Sequence, residues 1–244
     1  MQTKPQGKNQ GLAWPALTPG RLIKRYKRFL ADVALEDGGI VTAHCPNSGS
    51  MAACSEPGRR VYLSTHDNPK RKLKYTWEII HMPDSLVGVN TLVPNRLVKK
   101  SIENGWVPEL ANYDEVRSEV KTRQGSRLDL FLSRSDGCGC FVEIKNCTLV
   151  ENGLACFPDA VTTRGRKHLR ELERLTAEGY RCVMFYFIQR MDANRFRPAD
   201  HIDPAYGKAL RKSHLNGGVE ILVYDVWMDL EHIRLNRKVP CDLN

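Results

Sequence analysis

The chain has 244 residues, 41% of them hydrophobic, and carries 37 Lys and Arg against 28 Asp and Glu, a formal net charge of +9. That length supports one large or two modest domains with real cores, and the apolar content excludes an intrinsically disordered chain. The basic excess favours an anionic partner, no apolar run approaches the roughly 20 residues of a membrane span, and the eight cysteines form no CxxC pair, so reduced thiols in a cytoplasmic protein are expected.

Residues 1–19, with Lys, Gln, Asn, Gly and three prolines, read as a flexible tail. From 20 to 86 the sequence is β-rich. Strands are predicted over 22–35, 39–45, 60–65 and 74–81, separated by turn signals at Asp37-Gly38-Gly39, Pro57-Gly58 and Asn68-Pro69. This count of short strands predicts a small OB-like barrel. Its first strand is basic, so Lys24, Arg25, Lys27 and Arg28 are candidate DNA contacts, with Tyr26, Phe29, Tyr62 and Trp77 as stacking platforms. In the string HCPNSGSM at 44–51, Asn47 is a further candidate contact, although Asn-Ser-Gly is also ordinary turn chemistry and a lone histidine such as His44 is more often structural.

A boundary at 83–90 opens a second domain, 87–244, in which the pattern is mixed α/β. A helix is predicted over 90–104, with Pro94 near its start and Gly105 just past its end. Strands follow at about 115–122, 127–132 and 140–147. A helix over 162–178 places Leu169, Leu172 and Leu175 on one stripe and stops at Gly179. The run 180–189 is apolar on both faces, as a central strand would be. Asp203-Pro204 opens a last helix ending at Gly217-Gly218, and strands at 219–226 and 231–235 close the chain. The expected architecture is an α/β sandwich on a mixed central sheet.

The chemistry sits on the second and third strands of that domain. In extended chain alternate side chains share a face, so Glu143 and Lys145 emerge side by side, and Asp129 faces Glu143 across a hairpin. Two carboxylates can hold a hard divalent cation, and a neighbouring lysine can position water or neutralise charge on a phosphate. The apolar residues around Glu143 and Lys145 imply a mostly buried strand, where charges are costly unless paired or used. Asp129, Glu143 and Lys145 are therefore the candidate catalytic residues, with Asp129, Glu143 and Glu119 as ligands of Mg²⁺ or Mn²⁺ and the Ile144 carbonyl assisting. Downstream, Thr162 or Thr163 can cap a helix whose first turn carries Arg164, Arg166, Lys167 and His168. Positive charge there opposes the helix dipole and points to an anion, so these four join the candidate DNA contacts, while Asp159 can serve a turn or the pocket.

The strings HCPNSGSM, SRLDL, FVEIKNCTL, CFPDAVTTRGRKHL and DPAYGKAL, in this order, resemble the sugar fermentation stimulation protein A family over about residues 20–240. The resemblance implies an OB-like barrel followed by a restriction-endonuclease-like domain, with Asp129, Glu143 and Lys145 on the PD-(D/E)xK positions and Leu128 in place of the usual proline. It also implies DNA binding and a regulatory link to sugar, particularly maltose, utilisation. A helix-turn-helix proposed for the family near the C-terminus would fall at 203–222, but Gly217-Gly218 is followed here by strand-like residues. Three functions compete: a metal-dependent DNA nuclease, a non-catalytic DNA-binding regulator on a nuclease-like scaffold, and a binder of single-stranded DNA or RNA.

Overall fold

The computed structural model describes residues 11–244, so part of the expected tail, 1–10, lies outside the described residues. Residues 11–19 are not a tail. Strand β1 (Leu12–Ala13) pairs with a strand at the far end of the chain through Leu12↔Ile233, and the Trp14 N–H donates to the Glu231 carbonyl at 2.8 Å. Neighbouring residues could not reveal this, because the partner is nearly the whole sequence away.

The barrel comprises β2 (Leu17–Tyr26), β3 (Leu30–Leu35), β4 (Ile40–His44), β5 (Arg60–Thr65) and β6 (Tyr75–Met82), with β7 (Ser85–Gly88) appended to β6. The sheet order is β4-β3-β2-β5-β6-β7, and β4 also pairs in parallel with β6 through Ala43↔Tyr75 and His44↔Thr76, which closes five strands into an OB-like barrel. Leu22, Val33, Ala43, Leu63 and Trp77 fill it. The expected single strand over 22–35 is instead a hairpin. Lys27 and Arg28 turn the chain with φ of 46° and 65°, and Tyr26↔Leu30 is the last pair before the turn. Positive φ is normally signalled by Gly, Asn or Asp, and this turn has none of them. Two expected stacking platforms are also core: Trp77 is fully buried, with its indole N–H on the Ile79 carbonyl at 3.0 Å, and Tyr62 is 7% exposed.

After the barrel come α1 (Val93–Glu103), β8 (Glu115–Lys121), β9 (Arg127–Ser133), β10 (Gly139–Cys147), β11 (Leu149–Glu151), β12 (Leu154–Phe157), α2 (Thr163–Ala177), β13 (Arg181–Ile188), β14 (Arg195–Pro198), α3 (Pro204–Leu215), β15 (Glu220–Met228) and β16 (His232–Lys238). The main sheet has the order β1-β16-β15-β13-β10-β9-β8, with β10, β13 and β15 parallel and the outer strands antiparallel. Strand β13 is central, as its two apolar faces required. Val183, Phe185 and Phe187 pack with Leu97, Val98 and Ile102 of α1, whereas Met184, Tyr186 and Ile188 pack with Leu169 and Leu172 of α2 and Leu210 of α3. A restriction-endonuclease-like sandwich results. The small sheet β11-β12-β14 had no sequence signal, since strands of three or four residues are too short for alternation to stand out. At 203–222, α3 leads directly into β15, so the segment is helix and strand without a recognition helix.

Asp203 fastens the two outer helices. It caps α3 by accepting from the Tyr206 N–H at 2.9 Å, accepts from the Thr162 N–H at 2.8 Å, and holds Arg166 Nη1 at 3.1 Å. Asp203→Ala deletes a cap and breaks a pair whose arginine is only 22% exposed, so a loss of about 2–4 kcal/mol is expected. A lower urea midpoint at unchanged m would register it, and Asp203→Asn, which keeps the cap acceptor, should lose less.

Candidate active site

The site forms where the β9–β10 ladder ends. Pairing runs from Ser133↔Gly139 to Leu130↔Val142 and stops. Beyond that point the Ile144 N–H donates to Asp129 Oδ2 at 2.8 Å, and Asp129 Oδ1 accepts from Asn95 Nδ2 of α1 at 2.8 Å. Regular strand alternation, which would put Leu128, Leu130 and Leu132 on one face, also breaks at Asp129: Leu130 and Leu132 pack on the α1 side and Leu128 on the side of α2 and α3. The irregularity aims Asp129 toward the β10 backbone.

Glu143 is 2% exposed. Its Oε1 accepts from Lys145 Nζ at 2.6 Å and from His168 Nδ1 of α2, while Arg164 Nε donates to His168 Nε2 at 3.4 Å. That pattern assigns the imidazole proton to Nδ1. Glu143 Oε2 is buried with no hydrogen-bond partner among the described residues, and so is Asn146 Oδ1 on the same strand. Burial first, and then the charge of Glu143, push the Asp129 carboxyl up to about 6. At Glu143 burial is again the largest influence and raises the value, but Lys145 and His168 together outweigh it and hold the carboxyl below its usual range. Two carboxylates in one site are thus driven apart in acidity.

The remaining candidates divide. Glu119 has φ 58°, is exposed and pairs with Arg127 at 3.0 Å, yet it lines a pocket of about 340 Å³ together with Asp129 and Asn95. Among the described residues no three His, Cys, Asp or Glu side chains converge as a ligand set. The Arg25 guanidinium is committed to the carbonyls of Arg28, Asn47, Gly49 and Ser50 at 2.9–3.1 Å, so it braces the 47–50 loop. Asn47 is buried, accepting from the Gly49 N–H at 2.8 Å, and Asp159 accepts from the Met51 N–H at 3.1 Å. Arg166 belongs to Asp203, and the Thr162 N–H and the Gly165 N–H at the start of α2 are already bonded, the latter to Thr162 Oγ1 at 3.0 Å. Lys24 is exposed beside Asp32 at 3.7 Å, Lys27 stands at the hairpin tip and Lys167 on the open face of α2. Arg28 and Arg164 line a second pocket of about 360 Å³ with Asn47, Asn146 and Asp159. Asn95 was missed because nothing in a helix sequence marks which polar residue meets a distant strand. His168 was expected toward DNA, and its imidazole stands on Glu143 instead.

A closed OB-like barrel joined to a restriction-endonuclease-like domain, with an acid, acid, lysine cluster at the end of a strand ladder, defines a nuclease-like class of protein. Family models described as "SfsA N-terminal OB domain" and "Sugar fermentation stimulation protein RE domain" match residues 23–89 and 92–232. The chain belongs to the sugar fermentation stimulation protein family. A homolog from Geobacter sulfurreducens is 53% identical over 225 residues, covering 92% of this chain and 95% of that protein. One from Pelobacter propionicus is 54% identical over 226 residues, covering 93% and 97%. The solved structure of Pyrococcus furiosus SfsA in complex with Ca²⁺ superposes with a TM-score of 0.87 at 25% identity, covering 97% of this chain and all of that one. No helix among the described residues is long and apolar enough to cross a membrane.

The raised value at Asp129 has a sign. The folded state binds this proton more tightly than the unfolded chain, whose carboxyl titrates near about 3.9, so ionisation costs stability: nothing below about pH 4, increasingly between pH 4 and 6, and fully above about pH 6. In chelator, Asp129→Asn is expected to stabilise the protein by up to about 3 kcal/mol at pH 7.5 and by close to zero at pH 4. Denaturant melts at the two pH values measure it. Equal stability of variant and wild type at pH 7.5 would show that the charge is held there without cost.

Proposed function

We propose that the protein is a divalent-metal-dependent DNA phosphodiesterase whose catalytic residues are Asp129, Glu143 and Lys145. The observation that carries this reading is Glu143 Oε2, a buried carboxylate oxygen without a partner among the described residues, next to a second carboxylate whose value is raised by burial and then by the charge of the first. An orphaned buried acceptor of this kind costs folding free energy and fits a cation that folding alone does not supply. The donor set is hard oxygen, which suits Mg²⁺ or Mn²⁺: Asp129 and Glu143, with the Ile144 carbonyl and Glu119 assisting. Support also comes from the Pyrococcus furiosus relative, which was solved with Ca²⁺. When bound, such an ion supplies Lewis-acid polarisation of a phosphate oxygen. Lys145 keeps its ammonium at the carboxylate pair, where it neutralises charge developing on the phosphate, and Asn95 and the Ile144 N–H fix the direction of Asp129. Arg28, Arg164, Lys24, Lys27 and Lys167 supply phosphate contacts, and the family's link to sugar utilisation then runs through the DNA bound.

Labelled single- and double-stranded DNA incubated with Mg²⁺, Mn²⁺ or chelator tests the activity. Metal-dependent cleavage is expected, with Lys145→Met slowing it about a hundredfold or more while DNA affinity shifts little. Calorimetry should show metal binding in wild type and its loss in Asp129→Asn. If both wild type and Lys145→Met bind DNA equally and leave it uncut, the protein is a DNA-binding regulator on a nuclease-like scaffold.

The DNA contacts have their own signature. Duplex affinity should fall with salt at a log–log slope of about −0.9 per phosphate contacted, and reversing Lys24, Lys27 and Arg28 together should make that slope shallower for every sequence alike. Arg25 is left out of that set because its removal would release the 47–50 loop. A salt-independent binding curve would refute phosphate-dominated recognition.

A further inference from the structure

A cavity of about 560 Å³ lies on the seam between the barrel and the α/β domain, outside the carboxylate site. His44 of β4, with His66 and Arg71 from the connection after β5, lines one side. Trp14, Arg96 of α1 and Ile233 of β16 line the other. Leu92 and Arg96 also line the pocket of about 340 Å³ that contains Asp129, and Thr91 is shared by that pocket and the one of about 360 Å³ with Asn146 and Arg164. One furrow therefore follows the domain seam past the carboxylates, and the cavity is its roomiest part.

The lining is chemically divided. Leu12, Trp14, Leu92 and Ile233 make an apolar wall, and Leu92 is 66% exposed. Beside them the Arg96 guanidinium has no hydrogen bond or ion pair among the described residues, and from the barrel side the Arg71 guanidinium makes one bond, to Thr76 Oγ1 at 3.2 Å. The His44 imidazole also has no hydrogen bond among the described residues. Burial first, then the charge of Arg71, push it below its usual value, so at neutral pH it both donates and accepts. Glu78, the one acid among the described lining residues, is already engaged by Ser64 Oγ at 2.6 Å and Asn90 Nδ2 at 2.7 Å. An apolar wall, a neutral edge-reading group and two underused guanidinium groups are what an aromatic base carrying a phosphate requires.

We propose that the seam cavity is a nucleotide pocket, with the base against the apolar wall, its edge at His44, and the phosphate on Arg71 and Arg96. The nucleotide can be a unit of the strand bound at Asp129, in which case the inference rests on the DNA reading above, or a free mononucleotide, in which case it does not. The volume lies within the range of about 300–1,000 Å³ usual for small-ligand sites.

Two binding series on the full chain in Ca²⁺ test this. In the first, a single-stranded 12-mer carries one abasic position walked along its length. Occupation by a strand unit predicts that one position weakens binding about five- to a hundredfold, and that His44→Leu with Arg71→Ala removes this dependence. In the second, dAMP is compared with deoxyribose 5-phosphate. A free-nucleotide site predicts that dAMP binds at least about tenfold more tightly and that Arg71→Ala weakens it by a similar factor. A flat abasic profile together with no preference for dAMP overturns the proposal. Photocrosslinking of 8-azido-dAMP and of 5-iodouracil DNA to unmodified protein guards against variants that misfold: label on 12–15, 44, 66–71 or 92–96 supports the pocket, and label confined to other segments overturns it. The cleavage assay separates the two readings. Binding of dAMP in a protein that cuts nothing would remove the nuclease and keep the pocket, whereas cleavage with both series flat and label elsewhere would do the reverse.

Discussion

Glu143 sets the problem that the surrounding structure solves. A carboxylate on a strand in the middle of a sheet must be taken out of water, and leaving one oxygen unsatisfied costs about 1–3 kcal/mol, more when the group is charged. Lys145 and His168 recover part of this at Oε1. The rest is offset by packing on the two sheet faces. Phe185, Tyr186, Phe187 and Ile188 are fully buried on the neighbouring strand, and side chains of this size each contribute about 1.5–3 kcal/mol on burial. The electrostatically unfavourable cluster is therefore placed beside the best-packed strand, where the fold can carry it.

A second constraint is the attachment of the barrel. Strand β1 leaves the barrel's own sequence to pair with β16, so the chain's first described strand lies at the edge of the α/β sheet. Across the seam the Gly88 N–H donates to the Gln189 carbonyl at 3.0 Å, Thr91 Oγ1 to the Pro46 carbonyl at 2.5 Å, and Arg190 Nη1 to the Ala53 carbonyl at 3.4 Å. Gly88 has no room for a side chain, since a Cβ would stand 2.3 Å from Gln189 Nε2. These bonds hold the 44–51 string over the α/β domain, where Arg25 locks it from the barrel side and Asp159 from the other. Arg28 and Arg164, far apart in sequence, come to line one pocket as a result.

Period-two and period-3.6 patterns make most of the elements legible in the sequence. The strand at Arg60–Thr65, the alternation around Glu143, the double-sided apolar run of β13 and the capped helices α2 and α3 all follow from local spacing, because each buries its own faces in a regular way. What escaped depends on distant or irregular contacts. The Lys27-Arg28 turn is held by barrel closure against residue preference, β1 depends on a partner at the other terminus, and Asn95 acquires meaning only where α1 crosses the end of the β9 ladder. The same limit applies to the basic residues. Composition identifies Arg25, Arg166 and Arg164 as cations, yet only the fold separates an arginine that braces a loop and one that holds a helix cap from one that lines a pocket.

The charge arithmetic of the cluster links this architecture to its chemistry. Asp129 is pushed up to about 6 and Glu143 is held below its usual range, so at neutral pH both are ionised and face the single ammonium of Lys145. That ammonium already lies on Glu143 Oε1, and the Asp129 oxygens accept only from an amide side chain and a backbone N–H, neither of which carries charge. The excess is one negative charge in a half-buried setting on a chain whose net charge is +9. A long-range field that attracts polyanions and a short-range deficit of positive charge thus coexist within one molecule. Lysines and arginines can supply the first from the surface, but the second needs a compact positive charge reaching between two strands, and no further side chain on β9 or β10 is placed to provide it.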